Sequence, residues 1–351
     1  MTTFTPEQLA RAEAEANHLQ GRLAALRAEI GKVVVGQAAT VDGLLIALVA
    51  GGHALLEGVP GLAKTLMVRT LASAVSLDFK RIQFTPDLMP SDLLGTEVLE
   101  EDVGTGRRVF RFQQGPLFAN LVLADEINRA SPKTQSALLE AMQEARITVA
   151  GRTYPLAPPF FVLATQNPIE QAGTYPLPEA QLDRFLLYLR VEYPGVEEEA
   201  RILEATTGRR TAEVQAVLSG EEILKAQSLA RDVRISPELL DYVVRLVRAT
   251  RPAESPLDLV RGVVEWGAGP RAGQAIVLAA KARALLAGRY AVTLDDLRAV
   301  VPPALRHRVV LSFRGQAEGT TTDGLVERLL ERIEPPRSPL VRNPFGGAAG
   351  G

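Results

Sequence analysis

Apolar residues recur at steps of three and four along the start of the chain: Leu9, Ala12, Ala16, Leu19, Leu23, Leu26 and Ile30. That spacing is the single apolar stripe of an amphipathic helix of about six turns. Thr5-Pro6-Glu7-Gln8 sets its start, with Thr at the N-cap, Pro at the first helical position and Gln at the third. The stripe reads as a face packed on the next domain rather than as a coiled coil, because two of its seven positions are Ala and Gly21 interrupts it. Val33, Val34, Val35, Gly36 and Gln37 then lead into a second helical segment ending near Ala50.

From there the pattern changes to short continuous apolar runs. Residues 53–56 are too few for a helix and of the right length for a buried strand, and 81–84, 121–126, 160–167 and 185–191 read the same way. Two further pairs, 95–100 with 107–113 and 146–150 with 152–156, read as strands around a turn, the second about Gly151. Ser131-Pro132 caps a helix running to Glu144. Continuous apolar strands alternating with helices predict an α/β fold with a parallel sheet covered on both faces. After Pro194 the strand signal stops, and 196–207, 220–231, 236–250, 270–288 and 293–308 predict a second, all-helical domain. The Pro- and Gly-rich stretch 335–351 is expected to have no fixed structure. The expected division is therefore an N-terminal helix over 1–32, an α/β core over 33–194, a helical domain over 195–334 and a tail.

Composition adds few constraints. The 351 residues are enough for two domains with proper cores, and a net charge of −2 with 23% charged residues gives no basic excess that would announce nucleic acid. There are no cysteines, which excludes a disulfide framework or thiolate metal site and suits a reducing cytoplasm. The N-terminal stretch carries Glu7, Arg11, Glu13 and Glu15 and is not expected to be a signal peptide; the longest apolar run, 44–52, is too short to span a bilayer. A soluble, cytoplasmic protein is expected.

The chemistry begins at the first buried strand. It is followed by a turn with Gly58, Pro60 and Gly61, and then by Lys64 and Thr65 opening a helix. Strand, glycine-bearing loop and Lys-Thr helix start is the context of a phosphate loop, whose inward N–H groups and helix N-terminus cradle a polyphosphate. Lys64 would add charge for the β and γ phosphates, and the Thr65 hydroxyl would ligate Mg²⁺. The full pattern has Gly before the Lys, where this chain has Ala63. Ala accepts helical dihedrals as readily as Gly, so the substitution calls for right-handed backbone at that position. Asp125 and Glu126 end a buried strand, where an Asp can hold Mg²⁺ through water and a Glu can polarise an attacking water, or where both can simply be solvated. Asn167 ends the next strand, either orienting water or phosphate or serving as a turn residue before Pro168. Arg184 and Arg271 are candidate cations for the phosphates, against the ordinary surface role of an Arg. His53 reads as a strand residue with a satisfied ring, and with three His in all a metal site has no support. In parallel sheets, ligands bind beyond the carboxyl ends of the strands, which gathers 58–65, Asp125, Glu126 and Asn167 at one edge.

Three long strings carry a family resemblance: GPLFANLVLADEINRASPKTQSALLEAM at 115–142, ATQNPIE at 164–170 and GTYPLPEAQLDRF at 173–185. They resemble the MoxR family of AAA+ ATPases, in the clade with a helix-2 insert, and the similarity runs over about 33–308. The resemblance implies an AAA+ nucleotide-binding core with a C-terminal helical lid. Gly58, Val59, Pro60, Gly61, Leu62, Ala63, Lys64 and Thr65, with Leu66 after them, would be Walker A, a motif in which the family accepts Ala before the Lys. Asp125 and Glu126 would be Walker B, Asn167 sensor 1, Arg184 the arginine finger and Arg271 sensor 2. Gly36 and Gln37 match the segment bordering the adenine. The span 94–115 would be the helix-2 insert and 147–159 the hairpin before sensor 1, both typically facing the central pore of a ring. Arg129 is a rival to Arg184 for crossing the subunit boundary.

By resemblance the cofactors are ATP and Mg²⁺, and the assembly is a homo-oligomer, usually a hexameric ring. The usual partner is a von Willebrand factor A domain protein, and the task is chaperone-like remodelling, complex assembly or metal and cofactor insertion on a client. Two other readings stay open at the level of sequence. One is a nucleotide-gated scaffold without useful turnover, which the intact Glu126, Asn167 and Arg184 argue against. The other is a motor or loader on nucleic acid, for which the hairpin offers Arg146 and Arg152 but no aromatic interleaving or wider basic stripe.

Overall fold

The computed structural model describes residues 6–101, 108–169, 173–207 and 213–336, with the main chain alone for 6–16. Helices α1 (Pro6–Gly31) and α2 (Ala38–Ala50) precede strand β1 (Ala54–Glu57) and helix α3 (Lys64–Ala74). A two-residue β2 (Val75–Ser76), β3 (Phe79–Gln83), α4 (Pro90–Leu94) and the antiparallel hairpin of β4 (Gly95–Glu101) and β5 (Arg108–Gln114) follow. Then come β6 (Leu121–Asp125), α5 (Pro132–Glu144), the hairpin of β7 (Arg146–Val149) and β8 (Arg152–Pro155), β9 (Phe161–Gln166), α6 (Glu179–Leu182) and β10 (Leu187–Arg190). The rest is α7 (Val196–Thr207), β11 (Leu218–Ser219), α8 (Gly220–Asp232), α9 (Pro237–Ala249), α10 (Asp258–Val263) and β12 (Val264–Trp266), then α11 (Pro270–Leu286), α12 (Leu294–Leu305), β13 (Val310–Leu311), α13 (Phe313–Ala317) and α14 (Thr322–Arg332).

Two compact units divide the chain. One comprises Gly21–Phe185 with Leu189–Lys225, and the other Met1–Gln20, Leu186–Tyr188 and Ala226–Gly351. The first is built on a five-stranded sheet of order β10-β1-β9-β6-β3, in which β1, β6 and β9 pair parallel with one another through β9, and β3 pairs parallel with β6. The continuous apolar runs form its buried centre: every residue of β6 is buried, as are Leu55 and Leu56 of β1 and Val162, Leu163 and Ala164 of β9. Each such Leu contributes about 1.5–3 kcal/mol by leaving water. Edge strand β3 is half exposed, with Ile82 inward and Lys80 and Arg81 outward. Helix α2 is apolar nearly all round and almost wholly buried, as its composition requires. It lies close to the sheet edge, where a Cβ at Gly43 would meet the Leu189 side chain at 2.5 Å. Helix α5 begins as expected at Ser131, whose hydroxyl accepts from the Thr134 N–H.

This unit extends to Lys225, past the boundary expected near 195, and so includes α7 and β11, the latter paired parallel with β2. In the other unit, α11 packs on α9 and α12, and α14 on the same two helices. Its described residues are mainly helical, with the antiparallel pair β12 and β13 and the first residues of β10 as strand. Strands of two or three residues carry no readable alternation, so the strand signal in the sequence stops at Pro194 although short strands follow. Asp296 ties α12 down: it sits in a capping box with Thr293, and its fully buried carboxylate accepts from Arg289 at 2.6 Å and from Arg283. Burial alone would raise its pKa, but the bonds from Arg289 and Thr293 hold it on balance below the usual carboxylate range.

Among the described residues no helix is long and apolar enough to cross a membrane. Of the tail expected to lack fixed structure, 337–351 lies outside the described residues, as do 102–107 at the expected turn of the insert.

Candidate nucleotide site

The strand ends converge as the topology requires. Register places Leu56 beside Thr165, Glu57 beside Gln166 and Gln83 beside Asp125, so β1, β9, β6 and β3 end along one edge of the sheet. The loop leaves β1 at Gly58, which is buried against the residue just past β10: a Cβ there would sit 2.9 Å from both the Val191 Cβ and the Val191 carbonyl oxygen. Gly61 (φ 87°) and Ala63 (φ 56°) both have positive φ on either side of Leu62. That alternation turns main-chain N–H groups toward one side, the form of an anion-binding nest. Ala63 is the N-cap of α3, and its left-handed backbone overturns the expectation of a right-handed residue there. The Lys64 ammonium lies over the loop, donating to the Gly58 carbonyl and to that of Val59 at 3.3 Å. Thr65 is half buried at the first turn of the helix.

Gly36 and Gln37 form a left-handed bend before α2, with φ of 69° and 58°. The Gln37 amide donates to the Glu192 carbonyl at 2.7 Å, one residue from the Val191 that Gly58 touches. The same Val191 donates its N–H to the Glu57 carbonyl at 2.7 Å, so the bend and the loop rest on one segment.

Asp125 and Glu126 are held from both sides. The Thr165 hydroxyl donates to Asp125 Oδ1 at 2.6 Å and accepts from the Glu126 N–H at 2.9 Å. Asp125 Oδ2 accepts from Arg81, with contacts at 2.7 and 3.1 Å. Glu126 Oε2 accepts from the Gln83 amide at 2.7 Å and from Arg129 at 2.8 Å. Glu126 also has left-handed backbone, at φ 57° and ψ 50°. Arg81, Gln83 and Thr165 escaped the sequence reading. The signal that could have found them is the rule already applied to the acids, since each lies at or near the carboxyl end of a strand adjoining β6.

Asn167 is buried at the end of β9, where its carbonyl oxygen accepts from the Ile169 N–H at 3.1 Å and shapes the turn at Pro168. Arg129, the rival to Arg184 for crossing a subunit boundary, is ion-paired with its own Glu126. Arg184 donates to the Leu139 carbonyl on α5 at 2.8 Å. It borders a polar cavity of about 640 Å³ that Glu140, Glu144, Arg146 and Gln181 also line. Arg271 is exposed in the first turn of α11, in the other unit. His53 has both ring nitrogens bonded, accepting at Nδ1 from the Val162 N–H at 3.0 Å and facing the Met142 carbonyl through Nε2 at 3.1 Å. Burial holds its pKa down to about 4, so the ring is neutral and protonated on Nε2.

A nest of main-chain amides, a lysine over it, and an acid pair at the end of β6, one strand removed from β1 across β9, define the class: a phosphate-loop ATPase of AAA+ architecture. Two family descriptions match the chain, "ATPase family associated with various cellular activities (AAA)" over residues 53–187 and "AAA lid domain" over 258–329. Chaperone MoxR1 of Mycobacterium tuberculosis is 45% identical over 88% of this chain and 81% of its own length. Protein MoxR of Methylorubrum extorquens is 36% identical, over 81% of this chain and 86% of its own. A crystal structure of a Cytophaga hutchinsonii protein superposes with a TM-score of 0.86 at 43% identity, covering 94% of this chain and 99% of that one. The chain belongs to the MoxR family of AAA+ ATPases. It is a nucleotide-binding enzyme that hydrolyses ATP.

Proposed function

We propose that this ATPase is Mg²⁺-dependent and works as a chaperone-like motor that remodels or matures a client protein. The observation that carries the site is the Asp125–Glu126 pair, bonded to strands on both sides and ending at the sheet edge where the Lys64 loop begins. Lys64 and the amides of 58–65 bind the phosphates, and Gly36 and Gln37 border the base. Thr65 and Asp125 offer the hard oxygen ligands that Mg²⁺ accepts, and the bound metal would neutralise charge on the transferring phosphoryl group. Glu126 takes the proton of the attacking water, and the amide of Asn167 orients the water or the γ phosphate. Arg271 reads the nucleotide within its own subunit, and Arg184 completes the site of a neighbour in a hexameric ring. The partner is a von Willebrand factor A domain protein, and the work is complex assembly or insertion of a metal or cofactor into the client. A related chain's description as a chaperone supports the chaperone-like part of this reading.

Steady-state phosphate release tests the site. Glu126→Gln should bind ATP as the native chain does and turn over about 10²–10⁴-fold slower, the usual range for losing a general base. Undiminished turnover would remove Glu126 from the role.

A further inference from the structure

We propose that Thr165 is a positioning residue for hydrolysis, one buried hydroxyl that fixes the Asp125 carboxylate and the Glu126 main chain relative to each other. The inference rests on the reading of Asp125 and Glu126 given above. Thr165 is fully buried, and the residues before it on β9 are all apolar. A hydroxyl at such a place is costly unless both its donor and acceptor capacity are used. Here they are used, and in only one possible way. A carboxylate can only accept and an N–H can only donate, so the hydroxyl proton must go to Asp125 Oδ1 at 2.6 Å while a lone pair takes the Glu126 N–H at 2.9 Å.

The placement is set by register. The ladder between β6 and β9 ends at Ala124 beside Ala164, so Asp125 and Thr165 are the next residues on each strand, where the main chains begin to separate. The side-chain bond continues the pairing for one step beyond the ladder. Its second bond acts on a residue that needs fixing: Glu126 has left-handed backbone, which an L-residue adopts only when its surroundings hold it. That backbone sets the direction in which the Glu126 side chain leaves the strand. Thr165 therefore touches no reacting atom and acts through both acids at once.

An isosteric pair of variants separates this role from simple packing. Thr165→Val keeps the branched shape but not the hydroxyl, and Thr165→Ser keeps the hydroxyl. For Thr165→Val, kcat should fall about tenfold or more, since one charge-assisted hydrogen bond and one main-chain bond are lost together. KM for ATP and the ATP-induced rise in melting temperature measured in EDTA should stay within about twofold of native, because the phosphate loop is untouched. Thr165→Ser should recover most of kcat. Native kcat in Thr165→Val, or a Thr165→Ser as slow as Thr165→Val, overturns the proposal. If Thr165→Val fails to fold, Thr165→Cys replaces it, with the same outcomes read against Thr165→Ser. Glu126→Gln run alongside tells the two levels apart: native turnover there removes the underlying reading, whereas slow Glu126→Gln with native Thr165→Val removes this inference alone.

Discussion

Ala63 shows what a single residue's backbone can say about a motif. The general phosphate-loop pattern has Gly before the Lys, and at φ 56° and ψ 21° the structure gives the reason. The position is left-handed, where glycine is unstrained and an L-residue costs roughly 1–2 kcal/mol. Reading Ala as harmless required right-handed backbone, and sequence alone carries no sign of φ. The same region holds Gln37 and Glu126, so three of the five non-glycine residues of positive φ among those described lie at the candidate site. Strain concentrated in this way accords with a site that geometry, not stability, has shaped. Ala63→Gly should accordingly raise stability by about 0.5 kcal/mol, the relief at φ 56° less the greater freedom of Gly in the unfolded chain. Denaturant melts would show the midpoint rise, and a clear fall would mean that Ala63 is not strained.

At the scale of elements, the buried strands were legible because β1, β6 and β9 are covered on both faces and so are apolar without alternation. Helix α5 was legible from its Ser-Pro cap, and the insert and the second hairpin from their turn residues. Phe112 of the first hairpin stacks on Tyr154 of the second at 4.3 Å, a link between segments far apart in sequence that no local pattern announces. The short α10, α13 and β12–β13 pair were missed because such lengths hold too few residues for a period. The buried residue just before β1 also sets a pH dependence. His53 is neutral in the fold, with its pKa pressed by burial to about 4, below its ordinary 6.5. Between those values the unfolded chain binds a proton that the native chain does not, so stability should fall as pH drops below 6.5 and level off near 4. The loss from pH 7.5 to 5 should be about 2 kcal/mol. His53→Gln, which can keep both hydrogen bonds, should show a urea midpoint less dependent on pH by that amount. An equal dependence in both chains would mean that His53 is protonated in the fold.

The scale of the whole molecule is set by which residues one unit brings together. Lys64, Asp125, Glu126 and Thr165 meet within one unit because the sheet carries them to one edge. Arg184 rests instead on the Leu139 carbonyl, midway along α5. Helix α5 begins seven residues earlier, at Pro132, so Leu139 lies about 10 Å along its axis from the end that adjoins the acid pair. In the function proposed, an arginine held there completes a neighbour's site across a subunit boundary, in a heterologous ring where each subunit completes the next. Mixing two inactive variants tests that claim directly. Lys64→Ala chains keep Arg184, and Arg184→Ala chains keep the phosphate loop, so in mixed rings about one site in four has both. ATPase activity should therefore rise from near zero in either variant alone to about a quarter of the native rate at equal mixing. No recovery, with native gel or light scattering showing that mixed rings form, would place Arg184 in its own subunit's site and contradict the account.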